Sequence, residues 1–510
     1  MAGQQLNLVG VKPNSPIAVI VRNAVLSVTG WDLLDDDDAF FDKGLDSRQA
    51  LQITRALRQG LGRPTLSLSI VYKNPTVKQL SEALAVARQA KSEGNAHLIS
   101  SLQSTFTSRV KSIPVPTDGK KAVQNPIGVV LTGSTGYLGA YVLKSLLDRE
   151  DIGHIFCLNR GEDGGKVAQV RKTGDATQLE GRVTFLKVDL ASPKLGLNDD
   201  VYQNLTRRVS VIIHMAWPVN FIFELQAFRP HLEGVVNLCS LAAALSHQPA
   251  KIVFASSIAA VISGKGKNAP ESIIDTPPTT NQGYGQSKYI SEHILDAAAK
   301  HLGISAIVVR VGQIAGPARQ KGLWNPTEWF PSLIGSSLHL GSLPDNLGAL
   351  GKIDWIPSDI FGDVIVDLTT GASEENSGSG AQVFNLRNPK VTPWAGLAPT
   401  VLQASSELQG KGLELVSPAL WLEELRKSLA DLNADGDANK LTAATAKNPG
   451  LRLFDFYTRN LWADGIESNL MQVGRATDLS PALQSLPAVH STWMRKWMEE
   501  WMEEWATRNN

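Results

Sequence analysis

The sequence predicts an α/β protein: a small all-α domain of four helices, then a doubly wound parallel sheet, then a mixed, mostly helical lobe. Three observations predict it. Amphipathic helical stretches fill residues 14–90. Short β-branched apolar runs alternate with helical stretches from Gly128 onward. After about residue 315 the alternation gives way to segments rich in Trp, Pro and Gly. The length of 510 residues suits about three domains of roughly 150 residues each.

Taken in order, SPIAVIVRNAVLSV has helical apolar spacing after a Ser-Pro start, SRQALQITRALRQGLG is a second helix ending at glycines, and PTVKQLSEALAVARQA is a third beginning at Pro75 and Thr76. Residues 91–125 turn polar and irregular, the composition of a linker. From 126 the strands are GVVLTG, HIFCLNR, VTFLKVDL, VSVIIHMAW, KIVFASSI and AIVVRVG, with helices between several of them. This sheet part runs to about 315, and the lobe over 316–510 is expected to return in part to the sheet. The stretch WMRKWMEEWMEEW puts Trp493, Trp497, Trp501 and Trp505 on one helix face, read as a terminal helix packing on its own domain.

Apolar residues make up 43% and charged residues 19% of the chain, ordinary values for a soluble globular protein. The formal net charge is zero. That argues against a nucleic-acid binder and against a protein held on an anionic membrane. The two cysteines, Cys157 and Cys239, lie in apolar runs, so a disulfide framework is not expected and reducing, cytoplasmic surroundings are. The opening MAGQQLNLVGVKPNSP lacks the basic region and apolar run of a signal peptide. No apolar stretch reaches the ~18 residues of a membrane span. Nine histidines are scattered without HxxxH, and CxxC is absent, so no metal site is expected.

The stretch VVLTGSTGYLGAYVL places Gly133, Gly136 and Gly139 between a strand and a helix. Missing Cβ atoms there let the backbone approach a pyrophosphate, with the amides of Thr135, Gly136, Tyr137 and Leu138 and the helix dipole facing it. Close helix–strand packing is the alternative use of the same glycines. The next strand ends in Asn159 and Arg160 rather than Asp or Glu. A guanidinium suits a ribose 2′-phosphate, which favours NADPH over NADH. Glu162 is an alternative ribose contact. Asp189 ends the following strand, where it can accept from the adenine amino group, with Leu190 beside the ring.

Ser257 ends the strand KIVFASS, and Tyr284 and Lys288 stand four apart in YGQSKYISEHIL, on one helix face. A phenol titrates near 10, and a neighbouring ammonium lowers that, making it a usable proton donor. Ser257 would hold the substrate oxygen. These residues with Gly133, Gly136 and Gly139 resemble the extended short-chain dehydrogenase/reductase superfamily. More narrowly, LTGSTGYLG, CLNR, HMAWPVN, RVGQIAGP and GLWNPTEWFPSLIGSS resemble the thioester reductase domains of nonribosomal peptide synthetases and of adenylating carboxylate reductases. The resemblance covers about 126–370 and, loosely, the rest of the lobe. It implies a Rossmann-type fold, a Ser257–Tyr284–Lys288 catalytic triad, Lys288 on the nicotinamide ribose, Asn237 supporting Lys288, and Gln313 near nicotinamide or substrate.

The stretch DDAFFDKGLDSRQALQI resembles the attachment motif of carrier proteins, with a 4′-phosphopantetheine arm on Ser47. Lys43 and Arg48 depart from that motif, where apolar residues are more usual. Read without the resemblance, Ser47 is a helix N-cap. The combination implies a carrier–reductase didomain: an acyl or aminoacyl thioester on the Ser47 arm, hydride from NADPH, and release as an aldehyde or, after a second hydride, an alcohol. The implied partners are a phosphopantetheinyl transferase and an adenylation domain or acyl-loading enzyme, in cis in a longer synthetase or in trans. A thioesterase would need a G-x-S-x-G elbow, which is absent. The remaining alternatives are a superfamily enzyme acting on a free small molecule and a non-catalytic docking scaffold.

Overall fold

The computed structural model of the chain describes residues 17–60, 70–85, 91–115, 126–168, 179, 181–221, 223–247, 250–262, 269–278, 282–372, 379–410, 412–435, 445–461 and 471–509. It divides into two compact units. One gathers the described residues up to Ser100 with Val219–Arg229 and the short stretch ending at Gln286; the other holds the remainder.

The first unit is built on four helices: α1 (Ile17–Thr29), α2 (Ser47–Gly60), α3 (Ile70–Lys73) and α4 (Val77–Ala85). Ile20, Val21, Ala24 and Val25 form the buried stripe of α1. It shares one apolar cluster with Ala50, Ile53 and Leu57 of α2 and Val77, Leu80 and Leu84 of α4. Phe40 and Leu45, both buried, close this core from the loop before α2, where Leu45 N–H donates to Phe40 O at 2.9 Å.

Where polar composition predicts an irregular linker, the structure has a helix of 21 residues, α5 (Lys91–Lys111). Its signal is hidden among the serines: Ile99, Leu102, Phe106 and Val110 recur at helical spacing and are all buried. Within the second unit, Arg109 near its end forms a forked ion pair with Glu233.

The second unit holds seven parallel strands: β1 (Ile127–Thr132), β2 (Ile152–Asn159), β3 (Val183–Lys187), β4 (Val211–His214), β5 (Lys251–Ser257), β6 (Ser305–Val311) and β7 (Gln382–Leu386). Their order is β7–β6–β5–β4–β1–β2–β3. Val129, Val130 and Leu131 are fully buried, as in a strand covered on both faces. The chain winds outward from β1 to β3, then returns to place β4 on the other side of β1. This reversal opens a crevice at the carboxyl ends of β1 and β4, where Thr132 pairs in register with His214. β7 comes from the C-terminal lobe, whose sequence led us to expect a partial return to the sheet.

That lobe has its own core, in which Trp324, Trp355, Trp394, Trp421, Trp497 and Trp501 are buried together. The helix Ser491–Asn509 contributes the last two. Trp497 Nε1–H donates to Pro317 O at 3.0 Å and Trp501 Nε1–H to Trp324 O at 3.0 Å, so both indoles are packed and satisfied. The tryptophan stripe therefore faces its own lobe. Cys157 and Cys239 are free and buried, and burial pushes both thiols up to about 12. Among the described residues no helix is long and apolar enough to cross a membrane, and no group of three or more His, Cys, Asp or Glu could hold a metal.

Trp501→Ala removes a fully buried indole and should lower the unfolding free energy of this lobe by about 3–5 kcal/mol. A denaturant melt followed by tryptophan fluorescence checks this; a loss below about 1 kcal/mol, that of an ordinary surface change, would mean the helix does not pack there.

Candidate active site

The turn after β1 is made by glycines for steric reasons. Gly133 has φ +74°, and a Cβ on it would stand 2.8 Å from Ala216 N. A Cβ on Gly139 would lie 2.1 Å from Gly133 O, so the helix Tyr137–Leu147 approaches the turn as closely as backbone allows. Gly136 N–H donates to Gly133 O at 2.9 Å. This corrects the expectation that the Gly136 amide faces a phosphate, because it closes the turn instead. Gly136 caps the helix with no side-chain bond, leaving the start at Tyr137 and Leu138 open to an anion. The Tyr137 hydroxyl lies 3.1 Å from Ser358 Oγ, and burial holds that phenol well above the ordinary tyrosine range.

Asn159 emerges as a residue that sequence reading left without a role. Its buried amide donates to Ser134 Oγ at 2.9 Å and to Gly164 O at 2.8 Å, and it accepts from Thr135 Oγ1 at 3.4 Å. It ties the glycine turn to the loop after β2. Arg160 follows it and is exposed. Glu162, the alternative ribose contact, forms an exposed ion pair with Lys187. Asp189 is exposed and folds over its own loop, accepting from Ala191 N–H at 3.1 Å and Ser192 Oγ at 2.6 Å. Asn237 was expected to support Lys288. Its Nδ2 instead donates to Leu190 O at 2.9 Å and Ser192 O at 3.1 Å, so it fixes the Leu190 loop.

Ser257 ends β5 at 9% exposure, and its Oγ accepts from Ala259 N–H at 3.2 Å. The hydroxyl keeps its own proton to donate. Lys288, on the helix Gly283–Leu302, is 3% exposed. Its Nζ donates to Ala255 O at 2.5 Å and lies 4.3 Å from the Trp217 ring centre and 4.4 Å from that of Phe254. Burial holds its pKa well below the ordinary lysine range, with Glu292 opposing that shift. Tyr284 stands one helical turn before Lys288, in the first turn of the same helix. In the first unit its ring meets Phe221 edge-on at 5.1 Å and Phe228 at 6.3 Å.

Thr132 Oγ1 accepts from the amides of Met215 at 3.2 Å and Ala216 at 3.1 Å, so its hydroxyl donates to His214 Nδ1 at 2.7 Å and leaves the ring proton on Nε2. Burial, then Lys288 and His231, push His214 down to about 3, so it is neutral. Gln313 joins a partly buried hub: its Nε2 donates to Glu328 Oε2 at 3.3 Å, its Oε1 accepts from Trp329 Nε1 at 2.8 Å, and Trp324 Nε1 donates to Glu328 Oε2 at 3.0 Å. Burial pushes Glu328 up to about 7. An acid between two tryptophans in GLWNPTEWFP was the overlooked signal.

At the start of α2, Asp46 O accepts the first helical bond, from Ala50 N–H at 3.0 Å. Asp46 Oδ1 accepts from Gln49 N–H at 2.7 Å and Gln49 Oε1 from Asp46 N–H at 3.0 Å. This reciprocal capping box makes Asp46 the N-cap and Ser47 the first helical residue. Ser47 is thus not the cap. Lys43, where the carrier motif usually has an apolar residue, pairs with Asp38 at 2.8 Å. Ahead of them in the same unit, the ring of Phe41 stacks on Tyr72 at 5.2 Å and meets Phe223 at 5.8 Å.

Residues 19–84 match the family described as Phosphopantetheine attachment site, and residues 131–365 match the NAD-binding family described as Male sterility protein. The chain is 31% identical over 483 residues to a carboxylic acid reductase of Neurospora crassa, a match taking in 91% of this chain and 44% of that protein. It spans less than half the length of this and other curated relatives, two fungal adenylate-forming reductases among them. A thiolation–reductase di-domain from an archaeal nonribosomal peptide synthetase superposes with a TM-score of 0.65 at 17% identity, covering 98% of this chain and 99% of that one. The terminal reductase domain from the myxalamid biosynthetic pathway gives 0.60 at 20%, covering 79% and 98%. At these identities the likeness to solved structures is one of fold. One chain thus joins a stretch similar to phosphopantetheine attachment sites, residues 19–84, to a stretch similar to the male-sterility NAD-binding domains, residues 131–365, with the fold of thiolation–reductase didomains.

Proposed function

We propose that this chain reduces an acyl or aminoacyl thioester, carried on a phosphopantetheine arm at Ser47, and releases it as an aldehyde at the expense of NADPH. The observation that carries the reading is the end of β5. A buried lysine is held there by Ala255 O, two residues before a serine whose Oγ accepts one backbone hydrogen bond, and a tyrosine precedes the lysine by one helical turn. The carboxylic acid reductase relative and the carrier match support the same reading.

The residues present fit a nicotinamide dinucleotide. Gly133 and Gly139 let the turn and the helix pack backbone against backbone, the helix start at Tyr137 is open, and Arg160 supplies an exposed cation for a 2′-phosphate. When bound, that cofactor supplies the hydride. Ser257 and Tyr284 donate hydrogen bonds to the substrate carbonyl oxygen and stabilise the charge that develops on it. Tyr284 passes its phenolic proton to that oxygen. The Lys288 ammonium stabilises the phenolate left behind and would also hold the nicotinamide ribose of the bound cofactor. Breaking the carbon–sulfur bond then gives aldehyde and free thiol. Asp189 and Leu190 would border the adenine of that cofactor. A phosphopantetheinyl transferase attaches the arm, and an adenylation domain or acyl-loading enzyme, in cis or in trans, charges it. The cytoplasm is the compartment we propose for this chemistry.

Tyr284→Phe keeps the ring and its contacts with Phe221 and Phe228. Single-turnover NADPH oxidation with an acyl-pantetheine should fall by roughly 10² to 10⁴, while a cofactor titration stays near the parent value. A variant that reduces at the parent rate contradicts the assignment. Arg160→Ala should weaken NADPH by about tenfold, some 1.4 kcal/mol, and leave NADH nearly unchanged. Equal losses for the two cofactors would remove Arg160 from the 2′-phosphate.

A further inference from the structure

The helix Gly283–Leu302 that carries Tyr284 and Lys288 carries Glu292 on the same stripe, one turn beyond the lysine. Glu292 is 1% exposed and Arg310, on β6, is 0% exposed. Glu292 Oε1 accepts from Ser256 Oγ at 2.5 Å and from Arg310 Nε at 3.0 Å; Oε2 accepts from Arg310 Nε at 3.1 Å and Nη2 at 2.7 Å. Arg310 also donates from Nη1 to Pro270 O at 2.9 Å and from Nη2 to Ser272 O at 3.0 Å. Glu292 thus joins three things: the helix of Tyr284 and Lys288, the strand residue beside Ser257, and the neighbouring strand.

Stability does not explain such a pair. Removing two charges from water costs about as much as their attraction returns, and apolar replacements of similar volume are often neutral or better. Geometry does explain it. The guanidinium fork admits one orientation of the carboxylate. That orientation fixes the rotation of the helix against β5. Because side chains alternate along a strand, holding Ser256 also sets the direction of Ser257. We propose that Glu292 and Arg310 are positioning residues for the reduction, a buried clamp that aligns the helix of Tyr284 and Lys288 with the strand end of Ser257. The proposal rests on the assignment of those three residues given above.

The test compares the double variant E292L/R310M, which leaves no unpaired buried charge, with Arg310→Lys, which keeps the charge and loses the fork. Both are measured beside Tyr284→Phe in the full chain. Thermal melting and NADPH titration report folding and cofactor binding, and single-turnover reduction of an acyl-pantetheine is followed across pH. The expected result is that the double variant melts and binds NADPH like the parent, yet reduces at least about tenfold more slowly, the effect of a small misplacement of reacting groups. The alkaline limb of its rate profile should move to lower pH, because Lys288 loses a neighbouring carboxylate that favours its charged form. Arg310→Lys should lower the maximal rate without raising KM in proportion. A double variant that folds and reduces at the parent rate, with Tyr284→Phe impaired, overturns the clamp alone. Parent rates in both overturn the underlying assignment as well. A rate loss that only tracks lost melting temperature or lost NADPH affinity also overturns the clamp, reducing the pair to a structural role.

Discussion

The Lys288 ammonium sits almost fully out of water, and the ends of β4 and β5 are arranged to keep it there. Burial alone disfavours the charged form. Against that act the Ala255 carbonyl, the faces of Trp217 and Phe254, and Glu292 one turn along the helix. The neighbouring His214 is held neutral, its tautomer set by Thr132, so it adds no competing charge. The same strand ends border the crevice made where the chain reverses direction between β1 and β4. In the proposed reaction, Tyr284 on that helix and Ser257 at the end of β5 would gain their chemistry from this arrangement.

The sheet was legible because a parallel sheet covered on both faces writes itself as short continuous apolar runs. The glycine turn was legible because Gly133 and Gly139 stand where any side chain would strike backbone. Tyr284 and Lys288 were legible through helical spacing. What escaped the sequence has a common character: groups whose roles depend on contacts distant in the chain. Asn159 reads as a neutral residue in place of an acid until its amide is seen holding Ser134 and Gly164. Glu292 and Arg310 were given no role in the sequence, and both are buried. Asn237, expected to support Lys288, holds the Leu190 loop instead. The helix α5 was masked because its apolar stripe of Ile99, Leu102, Phe106 and Val110 is diluted by serine and threonine.

The first unit follows a similar logic. Its capping box uses Asp46 and Gln49, which frees the question of Ser47 from helix capping and leaves it at the opening turn of α2. Short polar residues cap best; the sequence suggested Ser47 as the cap, and the reciprocal bond with Gln49 gives that place to Asp46. The aromatic rings of Phe221 and Phe228 against Tyr284 belong to this same unit. Apolar rings around a phenol keep water from competing for the hydrogen bond it would give.

The central claim is that the arm on Ser47 delivers a thioester for reduction, and intact-protein mass spectrometry tests it most directly. The chain is treated with a phosphopantetheinyl transferase and an acyl-coenzyme A analogue, then held with and without NADPH while aldehyde is trapped. The expected result is an arm-plus-acyl mass, located to Ser47 by peptide mapping, that loses the acyl group only when NADPH is present, with aldehyde and oxidised cofactor formed in equal amounts. An acyl mass that NADPH leaves unchanged, or one that is lost equally without NADPH as the free acid, would contradict it.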